Sequence, residues 1–99
     1  MEDIQLRLNE KGQGGFFVVE NDEQLGEMAL QVNAHDLIVY HTEVNPKAEG
    51  KGLAKKMLAA MVEHARKNNL KVVPLCPFVL AQFKRHPDDY ADIWKKEEE

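Results

Sequence analysis

The sequence predicts an α+β domain: a mostly antiparallel sheet of about five strands, the last two parallel, with a central helix and a C-terminal helix. Three observations carry that expectation. Four strand-like apolar runs follow one another between Ile4 and Val44 with only short polar turns between them, the pattern of an antiparallel meander. An apolar stripe of helical period then runs from Ala54 to Ala65, as expected of a helix lying on a sheet. A fifth apolar run, Leu70 to Cys76, follows that helix, and a strand reached through a helical crossover is expected to lie parallel to its predecessor.

The 99 residues make a single domain, 1–99, with one core and no linker, repeat or low-complexity stretch. Ile4, Leu6 and Leu8 alternate with polar neighbours as a short first strand, and Glu10 to Gly15 is turn chemistry. Phe16 to Glu20 is the second strand, Asn21-Asp22 the next turn, and Leu25 to Val32 the third strand, with Met28, Leu30 and Val32 on one face. Asn33 to Asp36 turns again, and Asp36 to Val44 forms the fourth strand.

A helix beginning near Gly50 and ending at Asn68-Asn69 presents Ala54, Met57, Leu58, Met61, Val62 and Ala65 to the core. Its methionines read as core filler, and Lys55, Lys56, Glu63 and Lys67 point mostly outward. Proline offers no N–H to a ladder, so Pro74 suits a fifth strand that ends or peels away there. Cys76 precedes Pro77; it should close that strand and sit at the mouth of a helix over Pro77 to His86, where a helix N-terminus can lower a thiol pKa. Asp88 to Trp94 reads as a further short turn of helix, and Lys95 to Glu99 as a frayed tail.

Composition narrows the function classes. No run approaches the roughly 18 apolar residues of a membrane span, and the acidic N-terminus is not a signal peptide. A single cysteine excludes an internal disulfide framework and fits a cytoplasmic location. Net charge is −4, but residues 1–46 carry −7 and residues 47–75 carry +5. A basic middle favours a polyanionic ligand, whereas a net acidic chain without an aromatic-basic strip argues against nucleic acid. For Lys56 and Lys67 a solvated helix face is the plainer reading.

The basic region is centred on Val44-Asn45-Pro46-Lys47-Ala48-Glu49-Gly50-Lys51-Gly52-Leu53-Ala54, a glycine-bearing turn between a strand and a helix. Glycine lets the backbone approach an anion closely, and the first N–H groups of a helix lack partners of their own. A Walker loop is excluded because Gly50-Lys51 is followed by Gly52, not Ser or Thr. The dinucleotide fingerprint is excluded because it follows the first strand of a βαβ unit, and several strands precede this turn.

Glu49-Gly50-Lys51-Gly52-Leu53-Ala54, with Val44 and Pro46 leading in, resembles the Q/R-x-x-G-x-G/A signature of the Gcn5-related N-acetyltransferases (GNAT). Glu49 departs from it, standing where Gln or Arg is usual. His41-Thr42-Glu43-Val44, Pro74-Leu75-Cys76-Pro77-Phe78 and His86-Pro87 extend the resemblance to a short, single-domain branch of predicted acetyltransferases, across about residues 15–94. In that branch Glu49 is the normal usage.

The resemblance implies a reduced GNAT-like fold whose fourth and fifth strands splay, and acetyl-CoA as the acyl donor. It places the cofactor against Glu43, Val44, Glu49, Gly50, Lys51, Gly52, Leu53, Ala54, Lys55, Cys76 and Phe83. The usual N-terminal helices and terminal strands are missing, so the acceptor side is open or is completed by a second subunit, making a homodimer. An unidentified amine or protein is the acceptor; neither nucleic acid, membrane nor metal is implied.

Amide-forming acyl transfer needs a base for the ammonium, a donor for the carbonyl oxygen and an acid for the leaving thiolate. Many relatives take the acid from a tyrosine on the helix after the fifth strand; here that helix has Phe83, and Tyr90 is the nearest phenol. Glu43 or His41, alternate residues on the fourth strand, can serve as base, against the plainer readings of a solvated strand-end acid and a satisfied core histidine. Cys76 offers a covalent route. His86 lies nine residues of helix from it, roughly 13 Å, so direct partnership is not expected. Two alternatives remain: a non-catalytic acyl-CoA-binding protein that kept the cleft, and an interaction module with no affinity for CoA.

Overall fold

A computed structural model describes residues 3–96. In chain order it contains β1 (Asp3–Leu8), β2 (Gln13–Glu20), β3 (Glu23–Val32), β4 (Asp36–Val44), a 3-10 turn (Pro46–Ala48), α1 (Leu53–Lys67), β5 (Lys71–Pro74), α2 (Pro77–Arg85) and α3 (Pro87–Tyr90). The strands lie in sequence order in one sheet, antiparallel from β1 to β4 and parallel between β4 and β5. The α+β class and mixed sheet are as the patterning predicts.

One face of the sheet is covered. Phe16, Val18, Met28, Leu30, Leu37, Val39 and Val72 pack beneath Met57, Leu58, Met61, Val62 and Ala65 of α1 and Val79 and Phe83 of α2. The methionines are core residues, as expected: Met28, Met57 and Met61 are fully buried. Among the described residues no helix is long and apolar enough to cross a membrane.

Several boundaries move. β2 begins at Gln13 because Gly14 and Gly15 are paired strand residues, not turn residues. A Cβ on Gly15 would lie 2.4 Å from the Met28 carbonyl oxygen, so glycine here permits close backbone approach. The turn itself is Asn9 to Gly12, where the Asn9 side chain accepts from the amides of Lys11 and Gln13 at 2.8 and 3.0 Å. α1 begins three residues after Gly50, because Gly50 and Gly52 hold left-handed φ values of 90° and 73°, which a right-handed helix cannot include.

The C-terminal segment is more sheet than helix. α3 stops at Tyr90, and Trp94 bridges Val72 on the outer edge of β5. The Val72 N–H donates to the Ile93 carbonyl at 2.6 Å, and the Lys95 N–H donates to the Val72 carbonyl at 2.9 Å. Lys95 is also tied by its ammonium to Asp36 at 2.9 Å, so the tail is anchored to this point. Glu97 to Glu99 lie outside the described residues.

Arg66 of α1 clamps this segment. Its Nε and Nη2 donate to the two Asp92 carboxylate oxygens at 2.9 and 3.2 Å, and Nη2 also donates to the Asp89 carbonyl at 2.6 Å. The guanidinium hydrogen bond holds the Asp92 carboxyl below its ordinary range. A group whose folded pKa is depressed contributes stability above its unfolded pKa, near about 3.9 for Asp, and loses it as pH falls through the folded value. Asp92→Asn should therefore lower the melting temperature slightly at neutral pH, the pair being exposed, and the two melting curves should converge in acid. An offset that persists undiminished in acid would assign it to something other than the ion pair.

A bulge in β4 decides which of its side chains reach the helices. Ala29 pairs with His41 and Leu30 with Val39, which leaves Tyr40 as an extra residue. Up to Val39 the odd-numbered side chains of β4 face the helices. Beyond the bulge Thr42 and Val44 do, and Thr42 lies opposite the buried Met28. His41 and Glu43 are thereby turned to the open face of the sheet.

Candidate active site

Pairing between β4 and β5 runs from Asp36–Lys71 to Val39–Pro74 and then stops. Proline cannot extend the ladder, and β5 leaves the sheet there. One last link, the Cys76 N–H donating to the Val39 carbonyl at 2.9 Å, closes the inner end. Beyond it Tyr40 to Val44 have no strand neighbour on that flank among the described residues, and a wedge opens between β4 and the start of α2. The expected splay is present.

Thr42 and Cys76 face each other across the apex, Oγ1 to Sγ 3.3 Å. Cys76 is the N-cap of α2, as its place before Pro77 predicts, but only 1% of it is exposed. Its carbonyl accepts the Leu80 N–H at 2.9 Å. Thr42 was not among the residues singled out by the sequence, although it alternates with Val44 on the helix side of β4.

At the outer end of the wedge the chain passes from Val44 into the front of α1. The Asn45 side chain accepts the Lys47 N–H at 3.1 Å and caps the 3-10 turn. The first helical rung of α1 is the Lys56 N–H to the Gly52 carbonyl at 3.1 Å. Ahead of it, among the described residues, the amides of Leu53, Ala54 and Lys55 donate to no backbone carbonyl, and no side chain caps them. A Cβ placed on Gly50 or Gly52 would meet nothing within 4 Å, so the turn is an open cradle bounded by N–H groups.

Its lysines are held by the β2–β3 hairpin. Lys47 Nζ is 2.7 Å from Glu23, and Lys51 Nζ is 3.6 Å from Glu20. Glu49 is exposed, its backbone extended and its N–H donating to the Pro46 carbonyl at 3.2 Å.

On the open face, His41 and Glu43 are both exposed. The reading of His41 as a core histidine is corrected: the bulge turns it outward. Glu43 lies directly across from Glu27 of β3, and both line a hollow of about 500 Å³ at the strand ends with Gln24, Val44 and Asn45.

Two of the proposed residues lie apart from the wedge. Phe83 is fully buried, its ring stacked on Tyr90 at 4.6 Å and tilted against Trp94 at 5.6 Å. It stands in the core as packing, with no surface exposed beside Cys76. Phe83 is seven residues, about 10 Å, along α2 from Cys76, which places Tyr90 far from the apex. Tyr90 lines a separate hollow of about 290 Å³ between α1 and α2 with Lys55, Leu58, Gln82 and His86. His86 caps the C-terminal end of α2, opposite Cys76 as the helix length requires. Among the described residues no three His, Cys, Asp or Glu side chains are placed to share a metal.

A strand flank left open beside a ring of unbonded helix amides, in a mixed sheet of this order, defines the acetyltransferase class of α+β folds. The model of the GCN5-related N-acetyl-transferase family matches residues 15–93, and the chain belongs to that family. It is similar to a GCN5-like protein of Staphylococcus aureus, predicted to be an N-acetyltransferase and solved by NMR. The two share 29% identity over 97% of this chain and 90% of that one, with a TM-score of 0.67. The fold is also that of the ribosomal-protein-alanine N-acetyltransferase of Brucella melitensis biovar Abortus 2308, 16% identical over 91% of this chain and 67% of that one, TM-score 0.63. The ribosomal-protein-S18-alanine N-acetyltransferase of Escherichia coli aligns over 67% of this chain and 43% of its own, at 15% identity and TM-score 0.60. No curated protein sequence matches the chain.

Proposed function

We propose that the chain is an acetyl-CoA-dependent N-acetyltransferase acting on an amine. The observation that carries this reading is the succession of two unsatisfied surfaces: the free flank of β4 from Tyr40 to Val44 is followed, across the turn of residues 45–52, by the unbonded amides of Leu53, Ala54 and Lys55. Acetyl-CoA fits both, since a pyrophosphate takes the N–H groups of a helix front and a pantetheine arm carries amides that a lone strand flank can pair. Lys51 and Lys55 add positive charge, and the hollow lined by Lys55, Leu58, Gln82, His86 and Tyr90 receives the nucleotide end. Tyr90 is thereby a binding residue, not the acid.

The bound thioester supplies an activated acetyl group: the amine nitrogen bonds to the acetyl carbon, the carbon–sulfur bond breaks, and the second proton of the nitrogen leaves on the CoA sulfur. Glu43 Oε, exposed on the open face, takes the proton from the acceptor ammonium as it enters by the hollow shared with Glu27. His41, on the same face, is the second proton acceptor. Thr42 Oγ1 and Cys76 Sγ hold the apex closed to water. The burial of Cys76 supports direct transfer over an acetyl-cysteine intermediate.

Glu43→Gln tests the assignment. It should lower kcat by about 100-fold, the lower end of what a general base contributes, while calorimetry finds the acetyl-CoA dissociation constant within about twofold of wild type. Intact mass after incubation with acetyl-CoA should show no adduct on Cys76. Tight binding with no CoA released over an amine and peptide panel would support the non-catalytic acyl-CoA-binding alternative instead. No heat at all would remove both readings.

A further inference from the structure

Three flanks of the sheet end without a full strand partner among the described residues, and two of them are already accounted for. The outer edge of β5 is bridged by Trp94, and the free half of β4 belongs to the wedge. The third is β1, whose register to β2 is unbroken from Asp3–Val19 to Leu8–Gly14. Edge strands are normally blunted by proline, by charges of which lysine is the commonest, or by a bulge; Asp3-Ile4-Gln5-Leu6-Arg7-Leu8 has no proline, lysine or bulge, and its two charges are of opposite sign. Its apolar side is displayed: Leu6 and Leu8 are 36% and 37% exposed. A hollow of about 310 Å³ runs beside it, lined by Ile4, Leu6, Phe16 and Ala60 and rimmed by Glu63 and Lys67 of α1.

We propose that β1 pairs with β1 of a second copy of this chain, antiparallel about a two-fold axis through Gln5. The charges of the strand are complementary only in that register. Matching of faces requires the paired numbers to sum to an even value, because successive side chains alternate. Centred on Gln5, Asp3 stands opposite Arg7 of the copy and Ile4 opposite Leu6, so both charges find partners and two of the three apolar side chains do. Centred on Leu6 or Ile4, neither charge faces an opposite charge. The in-chain relay from Arg7 Nε to Gln5 at 3.0 Å and from Gln5 to Asp3 at 2.7 Å already aligns these groups on one face. The same two-fold brings an acid and a base, Glu63 and Lys67, from each rim toward the other. This edge is at the far side of the sheet from β4 and β5, so the interface stands independently of the acyl-transfer reading.

Sedimentation of the full chain over a concentration series should show a monomer–dimer equilibrium. Asp3→Arg and Arg7→Asp should each raise the dissociation constant by about tenfold, since each removes two symmetry-related pairs and creates like-charge contacts. The double variant Asp3→Arg/Arg7→Asp should restore wild-type association. Gln5→Cys, on the axis, should cross-link into a disulfide dimer faster than Asp3→Cys or Arg7→Cys, because only position 5 meets its own copy within disulfide range. A monomer at every concentration, a double variant no better than the singles, or equal cross-linking at the three positions would overturn the proposal. Acetyl-CoA titration of each variant should be unchanged, which keeps this test separate from that of the wedge.

Discussion

Gly52→Glu should weaken acetyl-CoA binding by more than about 100-fold, because it spoils the helix front in two ways at once. Gly52 sits at φ 73°, and a Cβ added there would meet nothing within 4 Å, so a side chain would project into the cradle itself. A carboxylate there would answer the amides of Leu53, Ala54 and Lys55 internally and repel the pyrophosphate. The backbone strain of a left-handed non-glycine residue adds a cost of roughly 1–2 kcal/mol to folding. Gly52→Ala separates the two contributions, carrying the strain without the charge. Calorimetry should therefore order the affinities wild type, Gly52→Ala, Gly52→Glu, with melting temperatures of the two variants close to each other. Wild-type affinity in Gly52→Glu would show that the anion binds elsewhere.

Phe83→Ala should be the most damaging single truncation for stability, costing about 3–5 kcal/mol. Phe83 is fully buried and is the common neighbour of Tyr90 and Trp94. Its loss opens a cavity under α3 and loosens the segment that covers β5. For a domain of this size the melting temperature should fall by more than about 12 °C. The result also decides between two roles. A cofactor-lining ring would raise the acetyl-CoA dissociation constant with little change in the melt, whereas a packing ring moves the melt first. Phe83→Leu, which retains much of the volume, should recover most of the loss.

Elements with a sustained period were legible from residues alone. The bounds of β4 and the buried stripe of α1 follow directly from alternation and helical spacing, and the cradle at Gly50 and Gly52 follows from glycines between a strand and a helix. Glycine was also where reading failed: Gly14 and Gly15 look like turn residues, yet a carbonyl 2.4 Å from a hypothetical Cβ makes Gly15 a strand residue for steric reasons that no local pattern carries. The role of Phe83 was hidden for a similar cause, since an aromatic on an amphipathic helix has the same spacing whether it backs a groove or lines it. Thr42 was legible only as a member of a motif, without a role, because its partner, Cys76, is 34 residues away. The extra residue at Tyr40 leaves no mark in composition, because Leu37-Ile38-Val39-Tyr40 is uniformly strand-forming.

That single unpaired position works like a change of reading frame within one strand. Upstream of it, odd numbers are interior and even numbers are not; downstream, the assignment is inverted. A strand of the same length without the bulge would carry identical chemistry on every side chain but present it to opposite compartments, with the carboxylate of Glu43 directed at the methionines and the Thr42 hydroxyl at solvent. Substitutions along this strand are therefore tolerable one at a time, whereas straightening the bulge at constant length exchanges the two sides of the site in one step.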